Sequence, residues 1–202
     1  MKIALVGASG NAGSRLLREL SVRGHAVTAI ARHPVRIADL AGVTAREADL
    51  EETDDFVSAL SGHDAVISAL PFSTTDGDAL IGAVRSSGVK RYLVVGGAGS
   101  LQVAPGEKVI DQPGFPDAYR PEASAGSDFL DTLRGADDLE WTFLSPSAEF
   151  VPGERTGTFR LGTDTLLSNE DGSKISFEDF AIAMVDELET PKHVRSRFTV
   201  GY

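Results

Sequence analysis

The sequence contains no cysteine, which excludes disulfides, thiolate zinc sites, iron–sulfur clusters and a cysteine nucleophile. It also lacks any run of about eighteen apolar residues, so no membrane-spanning helix is expected. The apolar stretch before Asn11 and Arg15 is too short for a signal peptide. These absences together favour a cytoplasmic protein.

Basic residues are scarce, because 19 lysines and arginines face 30 acidic residues and leave a net charge of −11. Such a chain repels phosphate backbones and anionic lipids, so we expect a small-molecule substrate and neither nucleic acid nor membrane as a partner. The first 36 residues nevertheless carry a local charge of +5, which leaves −16 on the rest. The oligomeric state is left open.

Short apolar runs alternate with segments whose apolar residues recur at helical spacing, such as Leu16, Leu17 and Leu20. This alternation predicts an α/β, Rossmann-like fold: a doubly wound parallel sheet with helices on both faces. Helices are predicted after Thr53, around Leu80 to Val84 and over Pro121–Arg134. The predicted strands are Ile3–Val6, Ala26–Ala31, Val43–Ala48, Ala65–Leu70, Arg91–Val95 and Trp141–Leu144.

A small C-terminal extension follows the sixth strand, and we expect residues 1–202 to form a single domain. Two short strands, Thr158–Leu161 and Lys174–Ser176, bracket an Asp171-Gly172 turn and indicate a hairpin. A strongly amphipathic helix follows, and Ser176 with Asp179 forms a plausible cap at its start. Its acidic residues lie opposite the apolar face: Glu178, Asp179, Asp186, Glu187 and Glu189.

The segment GASGNAG places Gly7, Gly10 and Gly13 between the first strand and the first helix. Glycines there allow a tight turn and bring backbone amides at a helix N-terminus close to a pyrophosphate. The position in the chain favours a dinucleotide site over a purely structural turn.

The tip of the second strand carries Arg32 and Arg36 and no carboxylate. An NAD-preferring site usually has an acid there for the ribose 2′-hydroxyl, whereas guanidinium groups suit a 2′-phosphate. The pattern therefore favours NADP(H), with NAD(H) possible. The alternative is two solvated arginines on a surface loop.

Further candidates follow the later strands, at the carboxyl edge where open α/β sheets bind ligands. Asp49 and Leu50 are expected near the adenine, and Ala69, Leu70 and Pro71 near the ribose and pyrophosphate. Gly97, Ser100 and Pro146 are expected around the nicotinamide. Each of these also has a simpler interpretation, as a loop residue or a strand end. No metal site is predicted, because the histidines lack ligand spacing.

With GASGNAG, VVGGAGSL and FLSPSAEFVPGERTG, the chain resembles the atypical short-chain dehydrogenase/reductase family. Within it, the chain is similar to the NADH-flavin reductases that neighbour biliverdin reductase B and the NmrA-like proteins. The resemblance implies pyrophosphate contacts from four residues of the glycine turn, 2′-phosphate contacts from Arg32 and Arg36, and adenosine contacts from Asp49, Leu50, Leu70 and Pro71. The four turn residues are Ser9, Gly10, Asn11 and Ala12.

The chain departs from this family in its acid–base residues. Tyr119 is followed four positions later by Ala123, so the YxxxK pair is missing, and the serine position falls near Gly97 with Ser100 beside it. We therefore expect the loop of Gly97 and Ser100 to face a substrate that needs little acid–base help, such as FMN, another flavin or a quinone. The alternative function is an NmrA-like sensor that binds NADP(H) without turnover. Glu149 and Arg155 could meet the substrate or lie on the surface.

Overall fold

The alternating pattern folds into a mostly parallel sheet covered by helices on both faces, which confirms the predicted α/β class. The computed structural model describes residues 1–202. The α-helices are α1 (Asn11–Val22), α2 (Thr53–Leu60), α3 (Gly77–Ser86), α4 (Arg120–Arg134) and α5 (Phe177–Glu189). The strands are β1 (Lys2–Val6), β2 (Ala26–Ala31), β3 (Val43–Glu47), β4 (Ala65–Ser68), β5 (Arg91–Val95), β6 (Gln102–Ala104), β7 (Glu107–Lys108), β8 (Glu140–Pro146), β9 (Glu149–Val151), β10 (Arg160–Gly162), β11 (Lys174–Ser176) and β12 (Ser196–Gly201).

The main sheet has eight strands in the order β10-β12-β8-β5-β4-β1-β2-β3. The chain runs outward from β1 to β3 and then returns to β4 on the other side of β1. This reversal opens a crevice beyond the carboxyl ends of β1 and β4, where such sheets bind ligands.

Each face of the sheet has its own apolar core. On one face α1 and α5 pack over β1, with Leu16, Leu20 and Phe180 fully buried. On the other face α2, α3 and α4 bury Phe56, Leu80 and Leu133 among others. Because both faces are covered, the central strands read as continuous apolar runs in the sequence.

The predicted hairpin around Asp171-Gly172 is wrong. The turn itself forms, with backbone hydrogen bonds between Asn169 and Gly172, but the two strands pair with other partners. Strand β11 pairs with β9 in parallel, and β10 pairs antiparallel with β12. Strand β12, which was not predicted, lies between β10 and β8 in the main sheet, so the C-terminal extension completes that sheet.

The polar face assigned to α5 is also partly wrong, since Asp179 is 0% exposed and Glu187 only 4% exposed. The Glu187 carboxylate accepts hydrogen bonds from the backbone amides of Lys192 and His193 and from Arg91. Buried carboxylates need such donors, and here the loop directly after α5 and Arg91 of β5 supply them. The predicted Ser176 cap is present, because its hydroxyl accepts the Asp179 amide at 2.9 Å.

None of the α-helices combines the length and the apolarity that crossing a membrane requires.

Candidate functional site

The glycine turn between β1 and α1 is packed so tightly that side chains are excluded at two of its positions. Gly7 has a φ of +78°, and a Cβ built there would lie 2.4 Å from the Ala69 carbonyl oxygen. A Cβ on Gly13 would lie 2.1 Å from the Gly7 carbonyl oxygen. The glycines therefore allow the turn to pack against the end of β4 and the first turn of α1 to pack against Gly7.

Helix α1 presents its N-terminus at this turn without any competing group. Gly10 is the N-cap residue, no side chain caps the helix, and its first turn carries no acidic residue. The first amides of a helix have no intrahelical partner, and the helix dipole adds positive potential there. Backbone without Cβ atoms and free amides at a helix start fit a pyrophosphate group.

A cleft of about 800 Å³ opens beside the turn at the carboxyl edge of the sheet. Residues predicted from four separate segments meet on its wall: Gly7, Ser9, Gly10, Arg32, Asp49, Leu50, Ala69, Leu70 and Pro71. The sequence interpretation missed other lining residues from the starts of α2 and α3, including Thr53, Phe56, Asp76 and Ala79. The fold class gave a signal for these, because both helices begin at the same edge as the strand ends.

The remaining predicted site residues do not line this cleft. Asn11 and Ala12 lie in the first turn of α1, and Arg36 is exposed at the end of the 3-10 helix Pro34–Arg36. Gly97, Ser100 and Pro146 follow or end β5 and β8, farther along the same edge. The cleft is therefore lined by most of the residues expected around the adenosine and pyrophosphate. The residues expected around the nicotinamide lie outside it.

Arg32 and Arg36 make no hydrogen bond or ion pair, a state that only Arg18 shares among the arginines. Arg32 also lines an adjoining recess of about 570 Å³ together with carboxylates. These are Glu47, Asp49, Glu52 and Asp55, of which Asp55 is paired with Arg46 at 3.0 Å. The free guanidinium thus stands among negative charges contributed by the end of β3, the loop after it and the start of α2.

In the loop after β5, there is free space beside Gly97 but none beside Gly96. A Cβ on Gly97 would meet nothing within 4 Å, whereas one on Gly96 would lie 2.2 Å from the Phe143 ring. The Ser100 hydroxyl accepts a hydrogen bond from Arg197 at 3.2 Å, and Arg197 is 7% exposed and ion-paired with Asp164. Ser100 is therefore engaged by a buried arginine.

Neither Glu149 nor Arg155 lines the cleft. Arg155 binds Glu19 of α1 with two hydrogen bonds of 2.8 and 2.9 Å, and Glu149 pairs with Lys174 at 3.4 Å. The Arg155 guanidinium, aided by Arg23 and opposed by burial, holds the pKa of Glu19 below its ordinary value. The PGERTG segment thus attaches to α1 on the face of the sheet that carries α5.

Residues 7–191 match the family model described as NAD(P)H-binding. The chain is similar to the Bacillus subtilis protein YwnB, with 41% identity that covers 99% of this chain and 98% of that one.

Solved structures of similar chains share the fold over its full length. One is a Bacteroides thetaiotaomicron protein named as a "putative epimerase", with 43% identity, a TM-score of 0.93 and coverage of 100% of this chain and 96% of that one. A Burkholderia pseudomallei "putative exported protein" has 46% identity, a TM-score of 0.90 and full coverage of both chains. A Streptococcus pneumoniae "putative NADH-flavin reductase" has 37% identity, a TM-score of 0.83 and coverage of 100% and 99%.

Proposed function

The chain belongs to the NAD(P)H-binding family, in agreement with its resemblance to the atypical short-chain dehydrogenase/reductases, and we propose that it transfers hydride from NADPH to a flavin or quinone-like acceptor. The observation that carries the proposal is the glycine turn, where side chains are sterically excluded and the start of α1 is free of competing groups. The turn would hold the pyrophosphate, and the lining residues Asp49, Leu50, Leu70 and Pro71 the adenosine half. The cytoplasmic location predicted from the sequence stays a prediction.

The class of hydride acceptor is inferred from the residues around the loop after β5. Bound NADPH would supply a hydride, which carries both electrons, and a flavin that accepts it takes the one further proton from water. Tyr119 is 67% exposed and has Ala123 four residues later, where an acid–base pair of the YxxxK type has a lysine. Without an acid–base pair, the chain suits a flat acceptor that stacks above Gly97, where space is open. The name of the S. pneumoniae relative agrees with this class of acceptor.

A sensor that binds NADP(H) without turnover is the second candidate function. The bond between Ser100 and the buried Arg197 favours it, because the hydroxyl of the serine in the loop expected under the nicotinamide is then held by a core residue.

One assay separates the two functions. Purified protein is mixed with NADPH and then with FMN or a quinone, and the loss of nicotinamide fluorescence is followed. We expect oxidation well above the background rate of the mixture without protein. Binding of NADPH with no acceleration by either acceptor would contradict the enzymatic function and support the sensor.

Replacing both Arg32 and Arg36 with glutamine is expected to weaken NADPH binding by at least about 10-fold, because each charged hydrogen bond to a phosphate contributes about 1.5–3 kcal/mol. NADH lacks the 2′-phosphate, so its dissociation constant should change by less than about 3-fold. Fluorescence titration with both cofactors measures the ratio. The matched control is Arg18→Gln, because Arg18 is also unpaired but lies on α1. Equal losses for NADPH and NADH would contradict the role of the two arginines.

The carboxylates around Arg32 should limit the preference for NADPH. Glu47 lies beside Ala31 in the sheet register and lines the same recess as Arg32. Glu47 is exposed. Removal of its charge with Glu47→Gln should tighten NADPH by about 2- to 5-fold, since a unit charge about 4 Å away in water-like surroundings acts with about 1 kcal/mol. The control Asp54→Asn removes a nearby charge that does not line the recess. A similar change in both variants, or an equal gain for NADH, would refute a local effect.

A further inference from the structure

Glu122, in the first turn of α4, binds the loop that follows β4. One carboxylate oxygen accepts the Phe72 amide at 2.8 Å, and the other accepts the Ser73 amide at 2.8 Å and the Ser73 hydroxyl at 2.6 Å. These amides begin the 3-10 helix Phe72–Thr74, whose N-cap is Pro71. One side chain from α4 therefore satisfies the start of this short helix.

The same loop forms part of the cleft wall. Leu70, Pro71 and Thr74 line the cleft, and a Cβ on Gly7 would approach the Leu70 side chain to 3.2 Å. A displacement of this loop would therefore move the wall that faces the glycine turn.

The ring of Phe72 anchors this loop by packing against other aromatic rings, but this packing does not fix the exposed residues of the loop. The Phe72 ring packs at 5.2 Å from the Phe129 ring and 5.9 Å from the Phe143 ring, and a Cβ on Gly126 would approach it to 3.0 Å. Apolar packing of this kind has little directionality, and it places no restraint on the exposed Ser73. The directional restraint comes from the hydrogen bonds to Glu122.

The next residue of α4 contacts the loop after β5. A Cβ on Gly99 would lie 2.7 Å from the Ala123 Cβ, so this loop packs directly on the first turn of α4. Adjacent residues of one helical turn thus contact the loop on the pyrophosphate side and the loop expected under the nicotinamide.

We infer that Glu122 is a positioning residue, which holds the Leu70–Thr74 wall of the cleft in the arrangement that binds the nicotinamide cofactor. The inference rests on the proposed function, because it assigns the cleft to that cofactor. Glu122 itself does not line the cleft and acts through the loop.

The test replaces Glu122 with glutamine, which keeps the shape and one acceptor oxygen but turns an amide NH₂ toward donors. NADPH should bind about 10-fold more weakly, the effect of one lost charged hydrogen bond. Ser73→Ala removes only the hydroxyl and should cost about 2- to 3-fold. In the cofactor-free protein, the Phe72 and Ser73 amides of Glu122→Gln should exchange hydrogen faster than in the wild type, while amides of β4 keep their rates.

The matched control is Asp138→Asn. Asp138 accepts a bidentate pair of hydrogen bonds from Arg85, so this change also removes a charged contact between α3 and the segment after α4, away from the cleft. It should leave NADPH affinity within about 2-fold.

The outcomes separate the two hypotheses. Faster exchange at Phe72 and Ser73 with weaker NADPH binding supports the positioning role. Faster exchange with unchanged affinity, or unchanged exchange, overturns it while leaving the proposed function intact. A lowered melting temperature with equal affinity losses in Glu122→Gln and Asp138→Asn also overturns it, because the effect is then general destabilisation. A wild-type protein that binds no nicotinamide cofactor overturns both.

Discussion

Replacing Gly13 with alanine is expected to weaken NADPH binding by at least about 100-fold and to destabilise the fold, the largest effect on the site of any single substitution considered. The new Cβ would lie 2.1 Å from the Gly7 carbonyl oxygen and 2.9 Å from its carbon. Both are backbone atoms, so no flexible side chain can move away and the turn itself must shift. Overpacking costs about 1–3 kcal/mol or more, and a shift of the turn that loses two charged hydrogen bonds to the pyrophosphate costs about 3 kcal/mol or more, which is at least about 100-fold in affinity.

Two variants distinguish this steric effect from a general effect of glycine replacement. Gly82→Ala lies in α3 with nothing within 4 Å of the new Cβ, and alanine favours helix, so stability should stay equal or rise by up to about 1 kcal/mol. Gly10→Ala places its Cβ 3.3 Å from the Gly7 oxygen, so this variant should fold and lose affinity to an intermediate degree. Urea unfolding and NADPH titration measure both quantities. Wild-type affinity in Gly10→Ala together with a folded, tightly binding Gly13→Ala would refute the steric argument.

The sequence predicted the central sheet well, because those strands carry their own signal. Strands β2 and β5 have the predicted bounds, since both are interior strands of the sheet with mainly apolar sequences, AVTAIA and RYLVV. Strand β4 ends at Ser68, two residues before the predicted end, where the chain turns to pack against Gly7. Such ends depend on the neighbouring backbone and not on local composition.

The C-terminal region was less predictable because its pairing is non-local. The Asp171-Gly172 turn has local chemistry and forms, but the strands on either side pair with β12 and β9. No local pattern states which of several short strands will be adjacent in the sheet. The same reason hid Asp179, whose donors lie about 23 residues away, and in part Glu187, which binds Arg91 of β5 as well as the loop just after α5.

The candidate site shows the same division. The glycine turn and the strand ends follow from the order of elements, and residues predicted from four segments line one cleft. The carboxylates near Arg32 come from the end of β3, the loop after it and the start of α2, and Arg197, which binds Ser100, lies in β12. These contacts join segments that the sequence alone could not place beside each other. These contacts affect the preference for NADPH or NADH and the state of Ser100, neither of which the sequence motifs specify.

The second large effect is expected at Asp179, which is fully buried and binds a surface strap formed by residues 152–159. Its carboxylate accepts hydrogen bonds from the amides of Thr156 and Gly157 at 2.8 Å, from the Thr156 hydroxyl, and from the Tyr202 hydroxyl at 2.9 Å. Asp179→Ala removes the buried acceptor that these four hydrogen bonds share, so the strap loses this attachment to α5. It should lower the free energy of unfolding by about 3–5 kcal/mol, the cost typical of breaking a buried charged network.

Urea unfolding measures this loss, and limited trypsin digestion shows where it acts, because Arg155 lies within the strap. Cleavage after Arg155 should accelerate in Asp179→Ala before the rest of the chain is cut. The matched control Asp186→Asn lies on the same helix, where Asp186 is 56% exposed and pairs with Arg23, so it should cost no more than about 1 kcal/mol. Equal losses in the two variants would show that burial and the strap contacts do not matter.

The replacement of Asp179 and the replacement of Gly13 should also differ in their effect on NADPH affinity. The strap lies on the face of α1 and α5 and contributes no residue to the cleft. At a temperature and denaturant concentration where Asp179→Ala is still folded, NADPH affinity should therefore equal that of the wild type. Gly13→Ala should lose affinity under the same conditions. A parallel loss of affinity in Asp179→Ala would mean that the strap and the cleft are coupled through α1, whose Glu19 binds Arg155 of the strap and whose N-terminus faces the cleft.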